Sequence, residues 1–128
     1  MIGTYTISYS DILRTMHASY DELHRAAVEA EIRALPHHVY RILEIHEQLQ
    51  RAWQDGDTEA EDQLRTDLRP HEEAYYSLAK RLGSLPPEDV ELLSLIYERR
   101  LPLRTVGRIL YCDASTVLRR KNSILDRL

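Results

Sequence analysis

Two runs of side chains spaced alternately three and four residues apart constrain this chain more than any other feature. Val39, Ile42, His46, Leu49 and Trp53 form the first, and Leu64, Leu68, His71, Tyr75, Leu78 and Leu82 the second. A stripe with that period is what an α-helix turns toward a neighbour, whereas a half-buried strand alternates every second residue. Gln54-Asp55-Gly56-Asp57 is a turn-forming sequence between the two runs, so they are expected to fold back as an antiparallel hairpin. Trp53 would then meet Leu64, Leu49 meet Leu68, His46 meet His71, and Ile42 meet Tyr75. With copies of the chain in contact, Val39, Ile42, Leu49, Trp53, Leu64, Leu68, Tyr75 and Leu78 are the residues expected to hold them together.

Other punctuation surrounds these runs. Ser19 and Glu22 have the spacing of a capping box, and Tyr20, Leu23, Ala27, Ala30 and Ala34 recur at helical intervals up to Pro36, which predicts a separate helix before 37–53. Thr58 and Glu61 repeat the capping-box spacing ahead of the second run. Pro70 removes a backbone donor inside that run and predicts a kink or break near 67–70. Residues 4–9, TYTISY, alternate like a strand but are too short and polar to found a sheet, and are taken as an arm.

A hairpin in this register would bring His46 and His71 face to face. A metal site wants three or four converging ligands and only two are in sight, so ordinary histidines satisfied by water or carboxylates, or one helix rotated so that the two never meet, are expected. His17, His24, His37 and His38 add no ligand spacing. No nucleophile motif or phosphate-cradling glycine loop is present either, so no catalytic residue, metal or cofactor is expected. The lone Cys112 cannot form an internal disulfide, which fits a reducing compartment. No run approaches the ~20 apolar residues that span a bilayer, and a soluble, cytoplasmic protein follows as the expectation.

Gly83-Ser84-Leu85-Pro86-Pro87 marks a boundary between an acidic helical region, 1–82, and a three-helix unit, 85–128. In the unit, a helix starts near Pro87 with Val90, Leu93, Ile96 and Tyr97 as its apolar face, and Pro102 stops it. A short helix follows, with Leu103, Val106, Gly107 and Leu110 on one side and Arg104, Thr105 and Arg108 on the other. Asp113 is a good N-cap for a last helix from Ala114 onward. That helix gathers Val117, Leu118, Ile124, Leu125 and Leu128 in one arc and Ser115, Thr116, Arg119, Arg120, Asn122, Ser123 and Arg127 in the other, with Lys121 falling inside the apolar arc. From Arg99 onward eight cations face two carboxylates, a balance of plus six in a chain whose net charge is minus four; everything before Arg99 is therefore minus ten. A polarity split of this kind suits a tail that meets a polyanion. Arginine, asparagine and short hydroxyl side chains on one exposed face suit major-groove edges and nearby phosphates.

Residues 85–128, with Leu95-Ile96-Tyr97 before Arg99-Arg100, Val106-Gly107-Arg108-Ile109-Leu110, and Ser115-Thr116-Val117 before Arg119-Arg120-Lys121, resemble the helix-turn-helix of bacterial sigma factor region 4. They are more similar still to the sigma-like domain of phage-encoded transcriptional regulators of the RinA and ArpU families. The resemblance covers the last third of the chain. It implies that Ser115, Thr116, Arg119, Arg120, Asn122 and Ser123 meet bases or adjacent phosphates, with Arg104, Thr105 and Arg108 on the backbone. Two positions depart from the pattern. Gly107 stands where alanine is usual, a tolerable change, and Tyr111 stands where a turn glycine is common. A bulky residue at positive φ costs ~1 to 2 kcal/mol, which predicts a longer or differently shaped turn.

An all-α, DNA-binding transcriptional regulator that pairs as a homodimer is the expected function. The alternative is a sigma-like module that docks on RNA polymerase, or a small DNA-packaging adaptor, since small terminase subunits also join a helix-turn-helix to oligomerising helices.

Overall fold

A computed structural model describes residues 8–128, with the backbone alone for 11–19. The described residues are all-helical and form no strand: α1 (Tyr9–Gln54), α2 (Thr58–Leu82), α3 (Pro87–Leu93) running on into a π-helical turn (Ser94–Glu98), α4 (Leu103–Leu110) and α5 (Ala114–Arg127). Of the proposed arm, residues 4–7 lie outside the described part, and Tyr9 already opens α1.

The largest departure from expectation is α1 itself, one helix of 46 residues where two were expected. At 1.5 Å per residue it is about 69 Å long. Its backbone is helical straight through Ser19, so no helix starts there; the Ser19 side chain lies outside the described part. Pro36 sits inside α1 and Pro70 inside α2, and neither ends its helix. Both rings are exposed. A proline on the solvent side leaves its freed carbonyl to water, while packing on both sides of it holds the two halves on one axis. For Pro36 that packing is Val28 and Ile32 before it and Ile45 and Ala52 after it.

The α2 helix folds back along α1. Asp57 donates its backbone N–H to the Ala52 carbonyl at 2.9 Å, His71 meets His38, and Arg81 reaches Glu31. Asp57 rather than Thr58 caps α2, its carboxylate accepting from Ala60 N–H at 3.1 Å. The buried line runs through Ile45 and Ala52 of α1 and Leu68 and Leu78 of α2. On α1 it is rotated by one residue, about 100°, from the expected stripe, while Leu68 and Leu78 lie on the stripe expected for α2. As a result His46 is exposed and Trp53 is 73% exposed.

In the C-terminal part, Leu92, Leu93, Leu95, Val106, Val117, Ile124 and Leu125 form a core that Val28 of α1 completes, with Ile32 and Leu82 packed against it. Of the expected face of this helix, Leu93 is buried, Ile96 and Tyr97 are half-buried and Val90 is exposed, while Leu92 and Leu95 point inward. Residues 85–128 are thus roofed by α1. Polar ties reinforce the roof: Arg25 grips Asp126 through two hydrogen bonds of 2.7 and 2.8 Å, Lys121 lies 3.3 Å from Glu29, and Arg81 donates to the Leu128 carbonyl at 3.1 Å. Lys121 is the cation that sequence placed in the apolar arc; its stem packs against α1 and its ammonium ends on Glu29.

Candidate nucleic-acid interface

Three residues shape the connection between α4 and α5. Tyr111 ends α4 in the left-handed conformation, φ 59 and ψ 42, with its side chain 96% exposed. The connection is short and left-handed at a non-glycine residue, not lengthened as expected. Cys112 then donates to the Gly107 carbonyl at 2.8 Å, drawing the chain back across α4. A Cβ on Gly107 would lie 2.4 Å from the Cys112 carbonyl oxygen. The glycine that stands where the sigma-like pattern has alanine is therefore required in this chain. Asp113 caps α5 as expected, accepting from Thr116 N–H at 2.8 Å and from the Ser115 hydroxyl at 2.9 Å. The hydrogen bonds from Thr116, then that from Ser115, hold its carboxyl down to about 2.

This turn sets out the residues that sequence singled out. On α5, Ser115, Arg119 and Ser123 are exposed and Asn122 half-exposed, and these four line one shallow groove of about 570 Å³. Thr116 and Arg120 flank it, half-buried, with Arg119 donating to the Thr116 hydroxyl at 3.4 Å. On α4, Arg104 and Arg108 are exposed and Thr105 half-buried. The opposite side of α5 carries Val117, Ile124 and Leu125 into the core.

Three contributors to the groove escaped the sequence: Arg25 of α1 and Asp126 of α5, which pair across its wall, and Leu118, which was expected in the apolar arc but is exposed here. Arg25 and Asp126 lie 101 residues apart, so no local pattern links them. The structure also shortens the list of free cations. Lys121 is engaged by Glu29, and Arg127 by Asp89 at 2.7 Å. Among the described residues Arg99, Arg100, Arg104, Arg108, Arg119 and Arg120 have no ion-pair partner. The available positive charge of this part is six side chains rather than eight.

Elsewhere, the expected meeting of His46 with His71 does not occur. His71 Nδ1 lies 2.9 Å from His38 Nδ1, and His37 stands beside both, its ring centroid 5.7 Å from each. His38 lies eight residues, about two helical turns, before the expected partner His46. Burial first, then the charges of His38, Arg41 and His37, lower the His71 pKa below the ordinary histidine value. Among the described residues no group of three such side chains is arranged to hold a metal, and no helix is long and apolar enough to cross a membrane. Of the residues expected to join copies of the chain, Leu68 and Leu78 are buried between α1 and α2, Leu64 is half-buried, Val39, Ile42, Leu49 and Tyr75 are half-buried at grooves, and Trp53 is open.

No family model, curated protein or solved structure matches this chain.

Proposed function

We propose that this chain is a sequence-specific double-stranded DNA-binding transcriptional regulator that works as a homodimer. In it α4 and α5 act as a helix-turn-helix, α5 being the reading helix, and the sigma-like resemblance of 85–128 points to a phage or prophage regulator. The observation that carries this is the face of α5: Ser115, Arg119, Asn122 and Ser123 share one open strip backed by a buried core, and α4 adds two exposed, unpaired cations, Arg104 and Arg108. Arginine can pair bidentately with guanine and asparagine with adenine in the major groove. Arg104 and Arg108, four residues apart, project together toward the backbone phosphates. Six free cations neutralise at most about six phosphates, so one copy would bind with a log–log salt slope no steeper than about −5. Two copies on one duplex supply the affinity that a single unit lacks.

The test is selection from a pool of random and genomic duplexes at two salt concentrations, followed by sequencing of what is retained. A two-fold site, lost with Arg119→Glu, is the expected outcome. Salt-labile retention without enrichment, or no retention, overturns it and moves the assignment to a module that docks on polymerase or on a packaging machine.

A further inference from the structure

The α1 helix carries a second stripe on a face that α2 does not cover. Ile32, Pro36, Val39, Leu43, His46, Gln50 and Trp53 follow one another at intervals of four and three residues. Leu43 is 62% and Trp53 73% exposed. The C-terminal part overlies only the Ile32 end, leaving a cleft of about 530 Å³ between Ile32 and Pro36 on one wall and Ile96, Leu101 and Pro102 on the other. Beyond it, Val39, Leu43 and His46 share a groove with Glu72, Tyr75 and Tyr76, and His46 shares the next with Arg65, Arg69 and Glu73. Along α1 this side is mainly apolar, interrupted by His46 and Gln50, and along α2 it mixes Arg65, Arg69, Glu72 and Glu73 with Tyr75 and Tyr76.

We infer that a second copy of this chain covers this face, antiparallel, with the two-fold axis at Leu43. In that register Leu43 meets the partner's Leu43, Val39 meets the partner's His46, Pro36 meets the partner's Gln50, and Ile32 meets the partner's Trp53. Each indole, standing free at the tip of its own hairpin, enters the cleft beside the partner's Ile32. The same axis passes α2 at Arg69, the level that faces Leu43 when Arg81 faces Glu31. It sets Arg65 opposite the partner's Glu73, and Glu72 between the partner's Arg65 and Arg69. Among the described residues Arg69, Glu72 and Glu73 have no ion-pair partner within the chain. A parallel pairing would instead set arginine against arginine and glutamate against glutamate, which repels. The stripe is about 33 Å long and two helices are about 20 Å wide. Pairing therefore buries on the order of 1,300 Å² in total, within the range of stable interfaces. The proposed function supplies the reason for two copies; the geometry stands on α1 and α2 alone.

The experiment uses the full chain without DNA. Trp53 is its one tryptophan, so its fluorescence reports this contact and no other. Sedimentation across a dilution series is expected to show a dimer, with Trp53 emission moving to the blue over the same concentrations. Leu43→Glu, at an exposed position that leaves the helical circular dichroism unchanged, is expected to raise the dissociation midpoint roughly thirty-fold or more. Leu43→Cys in a Cys112→Ser background is expected to give a disulfide-linked dimer on mild oxidation. A monomer at every concentration, or a dimer that Leu43→Glu leaves intact, overturns the inference. A monomer that still selects a DNA site removes this surface and keeps the function; a dimer that selects none does the reverse.

Discussion

Replacing Gly107 by alanine is the sharpest probe of how α4 is joined to α5. The new methyl would sit 2.4 Å from the Cys112 carbonyl oxygen and 3.3 Å from the Asp113 carbonyl carbon. Ordinary contact begins at 3.4 Å, so the turn must move by about an ångström. It is not free to do so: Cys112 N–H is bonded to Gly107, and the next residue caps α5. Loosening both hydrogen bonds costs about 1 kcal/mol each, and relieving the overlap a further 1 to 3 kcal/mol or so. The better helix propensity of alanine returns about 1 kcal/mol. A net loss of about 2 to 4 kcal/mol is expected, which for a chain of this size lowers the melting temperature by roughly 10 °C. Urea unfolding followed by circular dichroism measures it directly. Gly83→Ala is the control: Gly83 has a helical φ of −64, and its added methyl stays 3.2 Å or more from neighbouring atoms, so its effect should stay within about 1 kcal/mol. A Gly107→Ala protein as stable as the parent would refute the tight turn and, with it, the angle at which α5 is presented.

Tyr111→Gly should act in the opposite sense, raising the urea midpoint by an amount worth up to about 1 kcal/mol, since glycine relieves the left-handed strain and the side chain it removes is 96% exposed. A lower midpoint would show that the phenol ring packs somewhere. His71 makes stability depend on pH: its folded-state pKa lies below the ordinary value of about 6.5, so the folded protein resists a proton that the unfolded chain accepts. Full stability is expected above that value, with loss as the pH falls below it toward the folded pKa. His71→Gln should flatten that limb of the curve, and urea midpoints taken on either side of the histidine value check it.

The last two helices were legible because their signals are local. Pro102 before α4, Asp113 before α5 and the apolar arc of Val117, Ile124 and Leu125 each act within a turn or two, and the structure keeps all three. The hairpin was legible in outline, with the buried stripe of α2 read correctly and that of α1 wrong in rotation. Size favoured Trp53 and His46 over Ala52 and Ile45, but near a tight turn two helices approach closely and a small side chain is what fits between them. Both prolines were read by their intrinsic cost, and tertiary packing on either side outweighed it. The residues named for the candidate site all lie on α4 and α5, while the part α1 plays there was hidden. Arg25 and Glu29 reach α5 only after a fold that brings together residues 101 and 92 positions apart.

The unbroken course of α1 past Pro36 makes it a gauge bar. Val28, embedded under α5, and Leu43, on the open hairpin face, belong to one rod, 15 residues and therefore about 22 Å apart at a fixed rotation. Anything that grips the far end fixes the reach and the azimuth of the near end, with no flexible tether to absorb error. In the proposed dimer, a duplex whose two half-sites are moved apart by half a helical turn should then be rejected outright, where a protein with tethered heads would accept it at modest loss.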